Sequence, residues 1–382
     1  MPLGSQKSRK SLRERVRHFT PAWHAVNTGT GAVAALFHVF PYGSNHSGMQ
    51  YTALSFELLN LFFFVVLTAI GLARYTFFRG VWASMLRHPV QSLFLGCFPM
   101  GLSNLIVGAV GTIHGYFNFG GTGFLYTLWG LWWADVVMSM AICFGQLHIM
   151  FTRQSHEVHL MSLIWLLPIV TMVVAASAGV DSQSERYSLS LYLQFIPTVS
   201  SFMDFPREFQ SFPLFFPSVL LARLVSNIFA DDIIPRFIYF CAWMLAFAMW
   251  SFATFWFLLA ILALGDTPRL VSLPFTIMFW GTLFPNGAYA RLTIILANSF
   301  DSTALRIWGS IYSCFVFALW IFSMSRSVIP FWDGSLFEAA DLIEPEEAEL
   351  IGMDPLDKEQ NLAQVQTRST TPASTIFIAE AI

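Results

Sequence analysis

Polar and small residues share one face of the first long apolar segment. His24, Asn27, Gly31 and His38 follow one another at spacings of three, four and seven residues, which puts their side chains on one side of an α-helix. Polar side chains aligned within an apolar helix usually face water or protein rather than lipid. We therefore predict that His24, Asn27 and Gly31 line a water-filled pore. The alternative is a packing stripe between helices whose hydrogen bonds are satisfied.

A second group of residues surrounds a proline in the ninth apolar segment, where Phe284 precedes Pro285. An aromatic ring at a proline bend can close a narrow pore sterically and by dewetting. We predict a gate at Phe284, on one helix face with the pore-lining residues Trp280, Gly287 and Arg291. A guanidinium inside a membrane requires water, a carboxylate partner or an anionic substrate. The alternatives are a core phenylalanine and an arginine that snorkels to the interface.

The remaining ionisable residues form no catalytic or metal-binding pattern. Glu57 and Asp135 lie in the second and fourth apolar segments, where we interpret them as structural partners or caps. The spacing of His148, His156 and His159 matches no zinc site. The sequence also has no glycine-rich phosphate loop, nucleophile elbow or His-Glu-x-x-His motif. We predict that the protein is not an enzyme and that it uses no cofactor, no metal and no nucleic acid.

Prolines interrupt several apolar segments at a comparable depth, in Phe98-Pro99, Leu167-Pro168, Phe216-Pro217 and Phe284-Pro285. A proline inside a helix removes a hydrogen bond and bends the helix. In lipid, the freed backbone groups need partners in protein or water. We therefore predict kinks at Pro99, Pro168 and Pro285, with Phe98 facing the pore.

The composition places the chain in a membrane, because 55% of its residues are hydrophobic and only 11% are charged. A helix needs about 20 apolar residues to cross a bilayer. Segments of that kind lie near 20–40, 52–73, 90–112, 123–151, 160–180, 187–203, 209–230, 236–264, 272–297 and 304–329. We predict an all-α membrane protein of about ten transmembrane helices, arranged as five hairpins around a central pore, with helices 6 and 7 atypical. Odd-numbered segments are richer in glycine and proline, which favours an inner ring.

Charge divides the chain into three parts. Residues 1–18 are basic, with Lys7, Arg9, Lys10, Arg13, Arg15 and Arg17 against Glu14. Basic short loops mark the cytosolic side, and the loops at 41–51 and 113–121 contain no lysine or arginine. We predict a basic cytosolic arm at 1–18, a transmembrane domain at 19–330 and an acidic, mostly disordered cytosolic tail at 331–382. Both termini of this multi-pass protein would then be cytosolic.

Several motifs in order carry a resemblance to a known family. They are Phe19-Thr20-Pro21-Ala22-Trp23, Pro99-Met100-Gly101-Leu102, Trp132-Trp133-Ala134-Asp135, Trp165-Leu166-Leu167-Pro168, Phe279-Trp280-Gly281-Thr282-Leu283-Phe284-Pro285 and Gly334-Ser335-Leu336-Phe337. Over 19–181 and 236–340 the chain resembles the tellurite-resistance/dicarboxylate transporter family, and within it the fungal sulfite efflux pumps. Fungal malate permeases and plant slow anion channels belong to the same family.

The resemblance implies a function as well as a fold. It implies five hairpins around a pore with the odd helices inside, a homotrimer with one pore per subunit, and a gating phenylalanine that matches Phe284. It also implies export of a small inorganic anion, sulfite or hydrogensulfite, across the bilayer of the plasma membrane. The alternative within the family is a malate or other dicarboxylate carrier. The alternatives outside this function are a polytopic receptor and an inactive product of a frameshifted gene.

One stretch departs from the family. Family members carry Phe-Pro-Leu-Gly-Pro-Leu-Gly-Gln or a close variant in the seventh helix, whereas this chain has Phe-Pro-Ser-Val-Leu-Leu-Ala-Arg at 216–223. Suitable codons for the second sequence encode the first when they are read from one base upstream. We hypothesise that 182–235 is translated out of frame, and an uninterrupted cDNA that encodes this stretch would remove the hypothesis.

Overall fold

In this computed structural model the described residues are 11–44, 46–153, 167–182, 233–266, 275–334 and 336–337. Within these ranges all regular structure is helical, which confirms the predicted all-α fold. The helices are α1 (Leu12–Arg17), α2 (Ala25–His38), α3 (Ser47–Phe77), α4 (Val81–Arg87), α5 (Cys97–Gly108), α6 (Gly121–Arg153), α7 (Leu167–Ser182), α8 (Ile233–Asp266), α9 (Leu283–Phe300) and α10 (Thr303–Asp333). Four helical stretches in the described part are long and apolar enough to cross a membrane: Ser47–Phe77, Ser92–Tyr116, Gly121–Arg153 and Thr303–Asp333.

The described helices coincide with most of the predicted segments. Segments one to five and eight to ten fall on described helices. Segments six and seven, at 187–203 and 209–230, lie outside the described residues, as do the first ten residues of the arm and the tail from residue 338. The count of ten spans, the closed ring around a pore and the disorder of the tail therefore stay predictions.

The described helices form an inner and an outer layer. The inner helices α2, α5, α7 and α9 correspond to odd-numbered segments, and they contact one another in the pairs α2–α5, α5–α7 and α2–α9. Outer helices pack alongside as hairpin partners, α3 on α2, α6 on α5 and α10 on α9. Within the most apolar 18 residues of each helix, 61% are buried in the inner stretch Ser92–Tyr116, against 17% in α3 and 28% in α10. The outer helices therefore keep broad apolar faces for lipid.

Three inner spans begin as a tighter helix. Short 3₁₀-helices run directly into α2, α5 and α9, at Pro21–His24, Ser92–Gly96 and Ile277–Thr282. Pro99 and Pro285 are each the third residue of the α-helix that follows, and Pro168 is the second residue of α7. A proline cannot donate to the carbonyl four residues back, and a 3₁₀ turn supplies that carbonyl with another partner. Pro99 and Pro285 thus lie close to a change of helix type, and kinks at Pro99, Pro168 and Pro285 stay predictions.

The folded domain continues past its predicted end at residue 330. Helix α10 extends to Asp333, and Gly334 then ends the helix with a φ of 80° that favours glycine. The chain turns back there, and Leu336 and Phe337 are buried. The Phe337 ring stacks on Trp23 with their centroids 4.9 Å apart. The first residues of the predicted tail therefore belong to the core, because they carry apolar side chains that cover the start of the first inner span.

Candidate functional site

One face of α9 packs closely on α2. A Cβ atom added at Gly29 of α2 would lie 3.0 Å from Leu283 Cβ, and one added at Gly287 would lie 2.7 Å from Ala32 Cβ. Such approaches leave no room for a side chain on either glycine without a shift of the helices. Gly287 therefore sets the distance between these two inner helices.

A second face of α9 packs on the outer helix α8. Trp250 Nε1 donates to Thr293 Oγ1 at 2.8 Å, and the hydroxyls of Thr254 and Tyr289 share a hydrogen bond of 2.7 Å. Polar groups in a bilayer are costly unless they find partners in the protein. These bonds therefore hold α9 in one rotation about its axis.

The third face of α9 carries Phe284, Ala288 and Arg291. Their spacing of four and three residues places them on one side of the helix, two turns long in all. All three residues are half-buried, whereas Leu283, Gly287 and the neighbouring positions towards α2 are buried. Two predicted site residues, Phe284 and Arg291, thus lie together on a face that is distinct from the packing faces towards α2 and α8.

Trp280 and Gly287 leave this face. Trp280 is only 1% exposed, and its indole Nε1 donates to Ser327 Oγ of α10 at 2.9 Å. The residue lies in the 3₁₀ part of the span, which turns once every three residues instead of every 3.6. Trp280 is therefore turned to α10 and away from Phe284. Gly287 belongs to the same α-helix as Phe284 but is turned to Ala32 of α2, while Phe284 stays on the half-buried side.

The polar stripe of α2 contacts α3 and α5. Asn27 Nδ2 donates to the carbonyl oxygen of Asn60 at 3.1 Å and to its side-chain Oδ1 at 3.2 Å. A Cβ atom at Gly31 would lie 2.8 Å from Asn104 Cβ, and Asn104 Nδ2 donates to Thr28 O at 3.3 Å. These contacts favour a packing stripe, because this side of α2 turns to the outer helix α3 and to α5, and pore lining by Asn27 and Gly31 stays a prediction.

His24 and Phe98 meet at one end of the same stripe. The two ring centroids lie 5.1 Å apart, and the Phe98 ring stacks on Phe64 of α3 at 5.2 Å. His24 is 5% exposed, and its Nδ1 atom has no hydrogen-bond partner among the described residues. Phe98 therefore contacts the outer layer, since its stacking partner belongs to an outer helix, and its place in a pore stays a prediction.

Sequence reasoning missed Asn60 and Asn104, which contact the predicted residues Asn27 and Gly31. Asn60 belongs to a buried stripe of α3 at three- and four-residue spacing, made of Gln50, Ala53, Glu57 and Asn60. That spacing of polar residues in an otherwise apolar helix is a readable signal. Asn104 follows no such pattern, and only its contact with α2 identifies it.

Two buried carboxyl groups lie on outer helices. Asp135 of α6 accepts a hydrogen bond from Ser103 Oγ of α5, in agreement with a structural role. Glu57 of α3 is 3% exposed, and its Oε1 atom has no hydrogen-bond partner among the described residues. Across the described ranges no three His, Cys, Asp or Glu side chains converge as a metal site; His156 and His159 lie outside these ranges.

Comparison with known proteins reveals relatives along most of the chain. The sulfite efflux pump of Trichophyton rubrum is 27% identical over 378 residues, which cover 86% of this chain and 97% of that protein. The sulfite efflux pump of Arthroderma otae is 26% identical over 386 residues, 88% of this chain and all of that protein. The malic acid transport protein of Schizosaccharomyces pombe is 22% identical over 355 residues, 84% of this chain and 80% of that protein.

The model of one protein family, described as voltage-dependent anion channel, also matches the chain. The match consists of two segments, 18–217 and 213–328, so it includes every inner helix described above. The segments overlap at 213–217, inside the stretch where the sequence departs from the expected motif. A match of this length, together with the layered helical architecture, settles the family and makes the protein a multi-pass membrane protein. The chain belongs to the voltage-dependent anion channel family.

Proposed function

We propose that this protein exports sulfite or hydrogensulfite along a gated path bordered by the half-buried face of α9. The observation that carries the proposal is the similarity to sulfite efflux pumps at 26–27% identity over 86–88% of the chain. The malic acid transport protein is less similar, at 22% identity. The protein is thus proposed as a transporter of a small inorganic anion, and not as an enzyme.

The position of Phe284 supports its proposed role as the gate. Phe98-Pro99-Met100-Gly101 in α5 and Phe284-Pro285-Asn286-Gly287 in α9 follow 3₁₀-helices, and both glycines face α2. α5 and α9 flank α2 on opposite sides. In each helix the phenylalanine lies three residues before the glycine that faces α2, and this equal spacing therefore turns the two rings to opposite sides of the inner layer. Phe98 stacks on the outer helix α3, which supports the proposal that Phe284 is turned towards the interior.

Arg291 supplies the attraction for an anion in this proposal. It lies on the same face as Phe284, two helical turns further along α9, and it is half-buried. A positive charge at membrane depth favours anions and repels cations. Selective conduction also requires that the anion leave again, which suits a path with few full charges.

The other predicted pore residues build the wall of the path in this proposal. His24, Asn27, Gly31 and Phe98 hold α2 against α3 and α5, and Trp280 and Gly287 hold the start of α9 against α10 and α2. Small residues at these contacts keep the inner helices close to one another. We also propose that both termini are cytosolic, because of the basic arm, and that the protein is a homotrimer in the plasma membrane.

Reconstituted liposomes test the proposed function directly. Vesicles that contain only the purified protein and lipid are loaded with radiolabelled sulfite, and efflux is compared with that from protein-free vesicles and from vesicles loaded with labelled malate. We expect sulfite efflux well above the protein-free rate and above the malate rate. Malate efflux in excess of sulfite efflux would support the dicarboxylate carrier, and no efflux of either anion would contradict the proposal.

A receptor and a frameshifted product make different predictions. A receptor requires a ligand-dependent cytosolic partner and produces no flux in vesicles that hold this protein alone. A frameshifted product would have a cDNA that restores Phe-Pro-Leu-Gly-Pro-Leu-Gly-Gln at 216–223, and the restored protein would transport sulfite where this chain does not. Comparing sulfite resistance of exporter-deficient cells that carry either version separates these cases.

A further inference from the structure

A second polar line crosses the described helices on the side of α2 away from Phe284. It lies between α2, α3 and α5, and we call it the polar seam, made of His24, Asn27, His38, Gln50, Glu57, Asn60 and Asn104. At one end His38 Nδ1 donates to Gln50 Oε1 at 2.8 Å. At the other end His24 lies against Phe64 and Phe98. The polar seam therefore spans the length of the first inner helix.

Glu57 occupies the middle of the polar seam. It follows Gln50 by seven residues and precedes Phe64 by seven, so each end lies about 10 Å away along the helix axis. Its side chain rests on Gly108 of α5, where a Cβ atom would overlap the carboxyl group. The glycine thus provides the space that this carboxyl group fills.

The polar seam contains buried atoms with unused hydrogen-bonding capacity. Glu57 Oε1, Asn60 Nδ2, Asn27 Oδ1 and His24 Nδ1 have no hydrogen-bond partner among the described residues. All four side chains are at most 5% exposed. Buried polar atoms are nearly always paired, and ionisable side chains inside a membrane, such as Glu57 and His24 here, commonly mark an ion or proton path. The order of the residues, histidine then carboxyl then histidine, is that of a proton relay.

The segment after Gly108, next to Glu57, is not α-helical. α5 continues there as a π-helix, Ala109–Tyr116, and π-helical turns occur frequently at functional sites. The His38 ring lies near this segment, since a Cβ atom at Gly111 would be 3.1 Å from His38 Nε2. The other ionisable side chains on the elements packed around Glu57 are His24 of the 3₁₀-helix before α2, Cys97 of α5, and His114 and Tyr116 of the π-helix.

We propose that the polar seam carries protons and that Glu57 is the proton-binding site that couples proton entry to anion export. The proposal rests on the proposed function and names its coupled ion. A proton from the outer solution passes His38 and binds one oxygen of the Glu57 carboxylate, which forms a neutral carboxylic acid. The same O–H bond then breaks as the proton moves past Asn60 and Asn27 to His24 and the cytosol. One proton enters, no other bond changes, and the anion passes the α9 face separately.

Sulfite efflux at a fixed internal pH tests this proposal. Vesicles are loaded with labelled sulfite at one internal pH and diluted into acidic, neutral or alkaline buffer, with the membrane potential held at zero by valinomycin and potassium. The fixed internal pH keeps the ionic form of the substrate constant, and protein-free vesicles correct for leakage. In wild-type protein we expect the initial rate to rise several-fold as the external pH falls. If one proton enters for each anion exported, the ratio of external to internal sulfite at equilibrium rises by about tenfold for each unit by which the external pH is lowered.

The variants decide the role of Glu57. Glu57→Gln keeps the size of the side chain and removes its proton exchange, so we expect sulfite efflux that no longer responds to external pH. Asp135→Asn is the matched control, since Asp135 is also a buried carboxyl group on an outer helix but bonds to Ser103 outside the polar seam. We expect this control to keep the wild-type response. His38→Gln, at the half-buried end of the polar seam, provides a second variant with an expected reduced response if Glu57→Gln does not fold.

Each result bears on one of the two proposals. If wild-type protein exports sulfite with no response to external pH, or if Glu57→Gln or His38→Gln keeps the full response, the proton relay is wrong and the proposed function stands. If wild-type protein exports no sulfite above the protein-free rate at any external pH, the proposed function itself is wrong. A response lost equally in Asp135→Asn would also overturn the specific role of Glu57.

Discussion

At the scale of single residues, rotation about a helix axis separates side chains that look equivalent in the sequence. Phe98 and Phe284 each precede a proline and lie three residues before a glycine that faces α2. Phe98 stacks on the outer helix α3, whereas Phe284 lies on the half-buried face of α9 with Arg291. The two phenylalanines therefore have different consequences when they are replaced.

Phe284→Ala is expected to raise sulfite efflux several-fold, because it removes the ring that blocks the path. The measurement is the initial efflux rate from proteoliposomes at equal protein content. Phe279→Ala is the control, since Phe279 is also half-buried but stacks on Phe275 with centroids 5.3 Å apart. An unchanged rate in well-folded Phe284→Ala protein would contradict the gate.

Arg291→Ala is expected to reduce the selectivity for sulfite over potassium by about tenfold, equivalent to about 1.4 kcal/mol. The physical reason is the loss of a positive charge at membrane depth. Reversal potentials in planar bilayers measure the change. Arg306→Ala should leave selectivity unaltered, because that arginine pairs with Asp301 on a partly exposed part of α10; retained selectivity in Arg291→Ala would assign Arg291 to the membrane interface instead.

At the scale of the helices, glycines determine how closely the inner layer packs. Gly31 and Gly287 each face a neighbouring helix so closely that an added Cβ atom would lie within 3.0 Å of it, and one added at Gly101 would be in tight contact with Asn27 at 3.2 Å. Small residues at such positions let helix backbones approach one another closely. Because lipid supplies no hydrophobic driving force between helices, this close van der Waals packing is what stabilises their association. The contacts of α2 with α3, α5 and α9 all depend on residues of this kind.

Gly31→Ala is expected to lower the unfolding free energy by about 1–3 kcal/mol, because the added methyl group would meet Asn60 and Asn104 at 2.8 Å. Thermal unfolding in detergent measures the change. Gly145→Ala in α6 is the matched control, since nothing lies within 4 Å of a Cβ atom there. The control should be neutral or stabilising by about 0.5–1 kcal/mol, and equal midpoints for the two variants would contradict the tight contact.

At the scale of the whole molecule, the two ends of the described chain meet. Arg15 of α1 donates to the carbonyl oxygen of Trp332 at 2.9 Å. Trp23 packs on Phe19, Phe331 and Phe337, and all three ring centroids lie within 6 Å of it. The first inner span and the segment after the last helix are thereby joined.

Trp23→Ala is expected to lower the unfolding free energy by about 3–5 kcal/mol, because it empties a buried aromatic cluster. Chemical or thermal denaturation in detergent provides the measurement. Trp332→Ala at the same end is the control with a small expected effect, since that side chain is 65% exposed. A similar loss in both variants would show that the cluster does not join the two ends.

Some of the site could be predicted from the sequence because it depends on spacing within a single helix. The α2 stripe, the apolar outer helices and the pairing of Phe284 with Arg291 on one face all follow from the helical repeat. Trp280 did not follow it, since a change from 3₁₀- to α-helix alters the turn per residue. Asn104 was missed because nothing in its own helix marks it.

The sequence alone determined that this protein lies in a membrane, that its fold is all-α and where its helices lie along the chain. These features follow from the length of apolar segments and the placement of charges, which are local properties of the chain. Only the tertiary structure decided which side of each helix meets which neighbour. Asn27 and Gly31 face α3 and α5, and Phe284 does not, because the rotation of a packed helix depends on all of its neighbours together. The same packing placed Glu57 against Gly108, a contact between helices that no spacing within either helix encodes.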